Sequence, residues 1–343
     1  MAAAKHHRPG GGFRNPWPDG TPQGFLAFLK WNLIDRLLKS LPSDPPLGTF
    51  TRVRPSFQNP RAHADDLTIT WVGHSTTLLQ VGGLNVLTDP IWSYRASPIP
   101  FLGPWRWVDA AIEFEFLPPI DLILVSHNHY DHLDDRTVRR LAKRFPEARW
   151  VAPLGVSQFL RKRAAVRVDE LDWWQQADSP EVSVTCVPAQ HFSARGLGDR
   201  NRTLWCGWCV RAPKRNIFFA GDTGYHPDFT EIGRKCGPFD AALIPIGAYE
   251  PRWFMKAMHM NPEEAVQAFQ DICSGSGSSD GRTRVIVPIH WGTFKLTDEP
   301  MDEPPKRARA AWLAAGLSQE DFWLLHHGET RRLGSGESGV GSR

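Results

Sequence analysis

The 343-residue chain has little of what marks membrane-spanning or disulfide-rich proteins. It contains no run of about 18 uninterrupted apolar residues, so we expect no segment to span a bilayer. Five cysteines are too few and too scattered for a disulfide scaffold, and they favour a reducing compartment. Cys206 and Cys209 form one C-x-x-C pair inside a strand-like run, which favours ordinary thiols over a redox or structural metal site.

The chain also lacks a strong charge of either sign. The formal net charge is +3, which is too small to indicate a nucleic-acid-binding protein. The charged residues at the N-terminus are followed by a glycine-rich segment and not by an apolar stretch, so we expect no secretory signal and a cytoplasmic location. Hydrophobic residues make up 41% of the chain, which is ordinary globular usage and excludes wholesale disorder.

The distribution of residue types predicts three parts. We expect an N-terminal extension at 1–66, a main domain at 67–330 and a flexible tail at 331–343. Residues 1–23 lack apolar periodicity, and we predict that they are mostly disordered or draped over the surface. A Ser/Gly-rich segment at 274–281 is predicted to be a flexible loop.

Within the extension, residues 24–41 predict an amphipathic helix. Apolar residues such as Phe25, Leu29, Leu33 and Leu37 recur at helical spacing, and Pro42 ends the run. The apolar stripe could dock on the main domain, or it could lie in a membrane interface or line the path of a lipid. Taken alone, the segment favours docking on the main domain.

From residue 67 onward, short β-rich runs alternate with helical patterns, which is typical of an α/β domain. Asn261, Pro262 and the two following acids form a good helix start. The predicted strands are 67–72, 76–81, 85–87, 120–125, 182–188, 204–211, 216–220, 241–246 and 285–289. The predicted helices are 135–145, 156–163, 262–273 and 305–315.

The most informative stretch is an H-x-H-x-D-H motif directly after the apolar run at 120–125. Side chains alternate in an extended segment, so His127 and His129 point the same way and can bind one ion. After the chain turns, Asp131 and His132 can face a neighbouring ion. This density of ligands at a strand end predicts a metal centre.

Three further candidate ligands, His191, Asp222 and His290, each follow a later predicted strand. Strand ends converge at one edge of an α/β sheet, so these ligands are expected to join the motif. Imidazoles and carboxylates without thiolates favour two zinc ions, with iron or manganese as alternatives. One ion is assigned to His127, His129 and His191. The other is assigned to Asp131, His132 and His290, with Asp222 bridging.

Two more residues near predicted strand ends are candidates for orienting the ligands. His74 lies in a GHST segment and Asp89 in an LTDP segment. Each could hydrogen-bond to a metal ligand and fix its orientation, or could serve only as a turn residue.

The metal motif, the spaced His191, the GDTG segment at 221–224 and the late His290 resemble the metallo-β-lactamase fold superfamily. A longer set of segments resembles the N-acyl-phosphatidylethanolamine-hydrolysing phospholipases D and spans about residues 13–330. These segments are FRNPWP (13–18), GHST (73–76), LTDP (87–90), RASP (95–98), LGP (102–104), PPID (118–121), SHNHYDHL (126–133), LDWW (171–174), FAGDTGY (219–225), IPIGAYEPRWFM (244–255) and IHWGTF (289–294).

The resemblance implies an αββα sandwich of two mixed sheets flanked by helices. It also implies hydrolysis of N-acyl-phosphatidylethanolamine to N-acylethanolamine and phosphatidate. Zinc lowers the pKa of its bound water towards about 7, so we expect a bridging hydroxide to attack phosphorus. Asp131 and Asp222 are the expected catalytic carboxylates, and the net positive charge of such a centre favours an anionic phosphodiester.

The segment between the strand at 241–246 and the helix at 262 is expected to lie near the metals, either capping the sheet or contacting substrate. The resemblance favours substrate contact by Tyr249, Glu250, Arg252, Trp253, Met255 and His259. It also favours membrane contact by helix 24–41. We therefore expect a phospholipid substrate, peripheral membrane association and no nucleic acid, and a homodimer is compatible with the sequence.

Two other functions remain compatible with the residues. A soluble hydrolase of the same fold, such as a sugar-phosphate lactonase or a ribonuclease Z-like nuclease, would use the same ligands without needing the apolar helix. A nuclease should carry a basic arm, and only two short basic clusters, at 161–163 and 306–309, are present. A non-catalytic metal-binding scaffold is disfavoured because all seven ligands are intact.

Overall fold

The computed structural model of the chain describes residues 4–38, 40–196, 198–276 and 284–334. Most of the predicted Ser/Gly loop at 274–281 and of the predicted tail at 331–343 lies outside these residues. Two mixed β-sheets form the centre of the described part.

Among the described residues, the first sheet has seven strands and the second has six, in the following order across each sheet. The first sheet has β13 (Thr330–Leu333), β1 (Leu67–Gly73), β2 (Thr76–Val81), β3 (Leu84–Thr88), β4 (Leu122–Leu124), β5 (Arg149–Pro153) and β6 (Arg167–Leu171). The second has β12 (Val285–Ile289), β11 (Ala241–Pro245), β10 (Asn216–Phe219), β9 (Gly207–Arg211), β8 (Ser183–Val187) and β7 (Gln176–Asp178).

Neighbouring residues of one strand supply two different hydrophobic cores. Leu79 of β2 packs into the core shared by the two sheets, whereas Leu78 packs on the outer face of the first sheet, beneath Val138 and Leu141. This division follows from the alternation of side chains along a strand. The sheets therefore pack face to face with helices outside them, and the predicted αββα sandwich is confirmed.

The main helices of the sandwich start and end where local sequence signals favour it. Asn261 caps α7 (Pro262–Gly275), as predicted from the sequence, and forms a capping box with Glu264. The Asp134 side chain accepts a hydrogen bond from the backbone N–H of Thr137 at the start of α3 (Asp135–Arg144). The helices are α3 (Asp135–Arg144), α4 (Ser157–Arg161), α5 (Asp228–Cys236), α6 (Arg252–Met255), α7 (Pro262–Gly275) and α8 (Glu303–Ala314).

Of the two predicted alternatives for the N-terminal leader, disordered or draped, the structure shows the second at 4–23, where the leader packs against the sandwich. Phe13 is 7% exposed and joins the main core. The side-chain amide of Asn15 donates to the carbonyl of His191 at 2.9 Å. Aromatic packing by Phe13 and Trp17 and a few long-range hydrogen bonds hold this segment, and neither leaves a periodic signal in the sequence.

The predicted amphipathic helix at 24–41 is helical from residue 25 to residue 38. It consists of α1 (Phe25–Leu29), a π-helical turn (Lys30–Asp35) and α2 (Arg36–Leu38). Trp31 is buried, whereas Leu26 and Leu37 are 81% and 83% exposed. Among the described residues, no helix is long and apolar enough to cross a membrane.

The last strand begins at Thr330, the predicted last residue of the main domain. Strand β13 pairs antiparallel with β1, in a register that sets Leu333 opposite Leu67. Residues 331–333, which we assigned to the tail, are therefore part of the first sheet. The division of the chain into extension, main domain and tail stays a prediction.

Gly247, just beyond β11, allows a close approach to the segment that carries His290. A Cβ atom at this position would lie 2.1 Å from the carbonyl oxygen of His290. We therefore expect Gly247→Ala to lower the free energy of unfolding by about 1–3 kcal/mol. Thermal unfolding followed by circular dichroism measures the change. Gly10→Ala is the control, because a Cβ there meets nothing within 4 Å. Equal melting temperatures for the two variants would contradict the prediction.

Candidate metal centre

The candidate ligands come from the ends of strands in both sheets. His127 follows β4 of the first sheet, and His191, Asp222 and His290 follow β8, β10 and β12 of the second. All four side chains are buried. The sandwich therefore gathers at one edge the residues that the sequence analysis singled out.

Three histidines, which the sequence assigned to one ion, lie together as the first group. His127 Nε2 lies 2.8 Å from His129 Nδ1, and His191 Nε2 lies 3.1 Å from the same atom. The ligand atoms of the three residues lie within 4.8 Å of one another, close enough to hold one ion.

The second group contains Asp131, His132 and His290, and the structure adds His74. Oδ2 of Asp131 lies 2.9 Å from His74 Nε2, 3.3 Å from His132 Nε2 and 3.6 Å from His290 Nε2. We predicted that His74 orients a ligand. Its contact with Asp131 fits that role, and its position is also close enough for His74 to act as a ligand itself.

Asp222 lies between the two groups. Its Oδ2 is 3.0 Å from His132 Nε2, 3.2 Å from His290 Nε2 and 3.9 Å from His191 Nε2. One carboxylate thus faces imidazoles of both groups, which is the position that a bridging ligand requires.

Hydrogen bonds behind the ligands fix their orientation. Asp89 accepts the backbone N–H and the hydroxyl of Ser126, and its Oδ2 lies 2.7 Å from His132 Nδ1. The Nδ1–H of His191 donates to the carbonyl of Met258 at 2.9 Å. The imidazoles of His132 and His191 therefore turn their Nε2 atoms towards the centre. Hydrogen-bond partners behind metal ligands commonly fix the ring orientation in this way.

Three residues of the centre hold a backbone conformation that L-amino acids rarely adopt. The φ angles of His74, Asp89 and His290 are +57°, +33° and +63°. Non-glycine residues in this region are strained, and they persist where the surrounding structure fixes them, often at functional sites. Each of these three residues directly follows the end of a strand, and the chain turns there so that the side chain lies in the centre.

The first group is unprotonated at neutral pH. Burial, reinforced by the neighbouring imidazoles, lowers the pKa of His129 to about 3. Burial likewise lowers the pKa of His191 to about 4. Neutral imidazoles have a free lone pair, which is the form that binds a metal ion.

In the second group, burial lowers the pKa of His74 to about 3, but His132 and His290 have the opposite electrostatics. Burial alone would lower the pKa of His290, but Asp222 and Asp131 raise it to about 9. Asp222 and Asp131 similarly raise the pKa of His132 well above its ordinary value. Burial alone would raise the pKa of Asp222, but His132 and His290 hold it well below its usual range. The buried carboxylates thus draw positive charge into the place where a cation would lie.

The residues fit a divalent cation. His132 Nε2, His290 Nε2 and Asp222 Oδ1 are buried atoms without an aligned hydrogen bond among the described residues. Buried polar atoms are rarely left unpaired, so this clustering of unpaired ligand atoms favours a metal ion as their common partner. Imidazole and carboxylate donors without thiolate suit zinc, iron or manganese.

Three of the predicted substrate residues bond to groups outside the centre. The hydroxyl of Tyr249, a fully buried residue, donates to Glu303 at 2.6 Å. The carboxylate of Glu250 accepts the backbone N–H of Arg252. The guanidinium of Arg252 donates to Glu264 and to the carbonyl of His259. The structure does not bring these side chains to the metal ligands.

The other three lie nearer to the centre. His259 Nδ1 is 4.0 Å from Asp222 Oδ2, and the ring centroids of His259 and His191 are 5.0 Å apart. Met255 is buried, whereas Trp253 is 41% exposed and stacks under the ammonium of Lys30. The predicted roles of all six residues stay predictions.

A small apolar cluster, which the sequence patterns did not predict as a unit, lies beside the metal centre. Phe192 lies with its ring centroid 4.4 Å from that of His129. We call this set the inner apolar cluster: Trp31, Phe254, Met255 and Met258, with Ala27 and Phe192 packed against them. The position of Phe192, directly after a predicted ligand, is the one signal that could have identified it.

The comparisons with known proteins agree with this geometry. A family model described as Beta-lactamase superfamily domain matches residues 84–291. A solved metallo hydrolase from the archaeon Ignicoccus hospitalis covers 78% of this chain and 99% of its own, with a TM-score of 0.56 and 20% identity, which is a likeness of fold alone. The fold and the centre define a metal-dependent hydrolase of the metallo-β-lactamase fold.

Two relatives identify the family of this chain within the β-lactamase superfamily. An uncharacterised protein of Mycobacterium tuberculosis is 44% identical over 290 residues, which are 83% of this chain and 73% of that protein. An N-acyl-phosphatidylethanolamine-hydrolysing phospholipase D of Caenorhabditis elegans is 38% identical over 318 residues, which are 88% of this chain and 86% of that protein. The chain belongs to the family of N-acyl-phosphatidylethanolamine-hydrolysing phospholipases D.

Asp131→Ala and His290→Ala test the assignment of ligands to the second group. Each substitution removes a ligand atom from a buried site, so we expect a lower metal content and a loss of turnover of at least about 100-fold. Elemental analysis of the purified protein and a phosphodiesterase assay measure the two effects. His63→Ala, an exposed histidine outside the centre, is the matched control. Metal content and turnover equal to those of the control would refute the assignment.

Proposed function

We propose that this hydrolase cleaves N-acyl-phosphatidylethanolamine to N-acylethanolamine and phosphatidate. In this reaction, water adds to phosphorus, the bond from phosphorus to the ethanolamine oxygen breaks, and a proton passes to the departing alcohol. The sequence identity to the C. elegans phospholipase D over most of both chains supports this substrate.

One observation carries the proposal: apolar contacts run from the exposed helix at 25–38 to a metal ligand. Phe28 and Trp31 of this helix contact Phe254, with ring centroids 6.4 and 5.1 Å apart. Phe192 packs against the same inner apolar cluster and against His129. A two-chain lipid needs apolar surface next to the phosphate-binding atoms, whereas a water-soluble phosphodiester does not.

When bound, a pair of divalent cations, which we propose are zinc, supplies Lewis acidity to the phosphate and activates the attacking water. His127, His129 and His191 would hold one ion, and Asp131, His132 and His290 the other. The carboxylate of Asp222 would be shared, because its Oδ2 faces both groups.

The chain's own side chains orient the reactants. Oδ1 of Asp222 is buried and free of hydrogen bonds to other described residues, so it can accept a hydrogen bond from the attacking water and align the water's oxygen with phosphorus. Asp131 is fixed by His74, and His132 by Asp89. Burial of the ligands excludes other water from the centre. The lower local dielectric constant strengthens each electrostatic interaction there.

His259 is the residue that we assign to the head group. Burial holds its pKa well below the ordinary value, so the ring is neutral at pH 7. Its Nδ1 is buried and without a hydrogen bond to another described residue. A neutral imidazole there can donate to or accept from the N-acylethanolamine portion beside the phosphate. Arg252 holds the carbonyl of His259 and thereby positions the ring.

The lipid assay compares substrates that differ in one feature. The purified, zinc-loaded protein is incubated with vesicles of N-acyl-phosphatidylethanolamine, with vesicles of phosphatidylethanolamine, and with bis(p-nitrophenyl) phosphate. We expect the N-acylated lipid to be hydrolysed with the highest kcat/KM, and mass spectrometry to detect N-acylethanolamine and phosphatidate. If the protein hydrolyses the soluble diester but neither lipid, the result would contradict the proposal and would favour a soluble phosphodiesterase of the same fold.

We further propose that the helix at 25–38 binds the membrane surface. Leu26→Asp with Leu37→Asp removes two exposed leucines, and we expect vesicle affinity to fall about tenfold for each. Vesicle flotation measures binding, and parallel assays measure turnover of the lipid and of the soluble diester. Only lipid turnover should fall with binding, because neither leucine belongs to the centre.

The matched control for the helix variant is Phe116→Asp with Leu313→Asp. These two apolar residues are also exposed, at 68% and 46%, but belong to other elements. We expect this control to bind vesicles like the unsubstituted protein. Equal loss of binding in both double variants would contradict a membrane role specific to the helix.

A further inference from the structure

A second cluster of metal-ligating side chains lies outside the metal centre, where the N-terminal leader crosses the end of β6. His6 Nε2 is 2.7 Å from Oδ1 of Asp172, and His7 Nε2 is 2.8 Å from Oδ2 of the same carboxylate. Their ligand atoms lie within 4.8 Å of one another. None of the three residues belongs to either group of the centre.

Aromatic packing fixes both imidazoles. The His6 ring stacks on Trp173 with centroids 4.2 Å apart, and the His7 ring meets the edge of Phe13 at 5.1 Å. The two imidazole centroids are 4.5 Å apart with the rings at 64°. Two ligands of the metal centre, His127 and His129, have the same separation of 4.5 Å, at 84°. The leader thus presents two nitrogens in an arrangement that the chain also uses in its metal centre.

The charge at Asp172 favours a cation. Its side chain is 19% exposed, and its ion-pair contacts within the described residues are His6 and His7, without any lysine or arginine. Oδ1 also accepts the backbone N–H of Trp173 at 2.8 Å. A largely buried carboxylate is costly unless it is paired. Two imidazoles and a carboxylate are a donor set that zinc accepts.

We propose that His6, His7 and Asp172 bind a structural divalent cation, zinc by its donor set, that fastens the leader to the sandwich. The cation would take the place of the two imidazole–carboxylate hydrogen bonds, and both imidazoles bind it in their deprotonated form. From this point the leader runs to the metal centre. Phe13 N–H donates to Asn201 O at 2.8 Å, and the Asn15 amide donates to His191 O.

The first test measures metal content by difference. The unsubstituted protein, its His6→Ala/His7→Ala variant and the His63→Ala control are loaded with zinc and desalted. Inductively coupled plasma mass spectrometry then measures their zinc content. We expect the double variant to hold about one zinc less per chain than the other two, however many ions the centre holds. Equal zinc content in all three proteins would overturn the proposal. His6 and His7 would then hold the leader to Asp172 by hydrogen bonds without a metal ion. Activity is not part of this measurement, so failure of the proposed lipid hydrolysis would not affect it.

A second test uses Asp172→Asn, which keeps the side chain's size and removes its charge. Trypsin cleavage after Lys5 and Arg14, two exposed residues of the leader, is followed by mass spectrometry. We expect zinc to slow cleavage of the unsubstituted protein at least about tenfold relative to protein treated with a chelator, and to have little effect on the variant. Cleavage of the unsubstituted protein at one rate with and without zinc would overturn the proposal even if the double histidine variant did not fold.

Discussion

Two carboxylates, the buried Asp222 and the largely buried Asp131, constrain the rest of the molecule. An ionised carboxylate removed from water is costly unless positive charge is close by, so the edge of the sandwich must bring cationic groups to both. His132 meets this need most directly, because its Nδ1 faces Asp89 and its Nε2 faces Asp131 and Asp222. A divalent cation and a protonated imidazole are alternative sources of that charge, and the centre is therefore built for one to replace the other.

Met258 connects the polar and the apolar parts of the site. Its carbonyl accepts the Nδ1–H of His191 and so fixes a metal ligand, while its side chain packs with Trp31 in the inner apolar cluster. The ligand His191 is followed directly by Phe192, which belongs to the same cluster. A movement of the inner apolar cluster would therefore shift the ligands directly through the backbone of Met258 and Phe192. The apolar side and the chemical side of the site are one packed unit.

The sequence could single out residues that lie together in the structure, because strand ends and a dense H-x-H-x-D-H motif are local signals. Their role as metal ligands stays a prediction. Strands β2 and β12 were predicted to the residue. Strands β5 and β6 were missed, since Arg149, Asp169 and Glu170 interrupt the apolar pattern of strands near the edge of a sheet. The packing of the leader and the bonding of Tyr249 to Glu303 could not be predicted, because both depend on residues far apart in the chain.

The orientation of the helix at 25–38 follows from a single carboxylate. Asp298 accepts the indole N–H of Trp31 at 2.7 Å and the Nε–H of Arg36 at 2.8 Å, and the Arg36 guanidinium also lies over the Trp31 ring. These contacts fix one face of the helix on the inner apolar cluster and thereby turn Leu26 and Leu37 outward. Contiguous exposed apolar surface is unfavourable in water and marks interaction sites. A helix that only capped the domain would gain stability by turning those leucines inward, and the bonds to Asp298 prevent this.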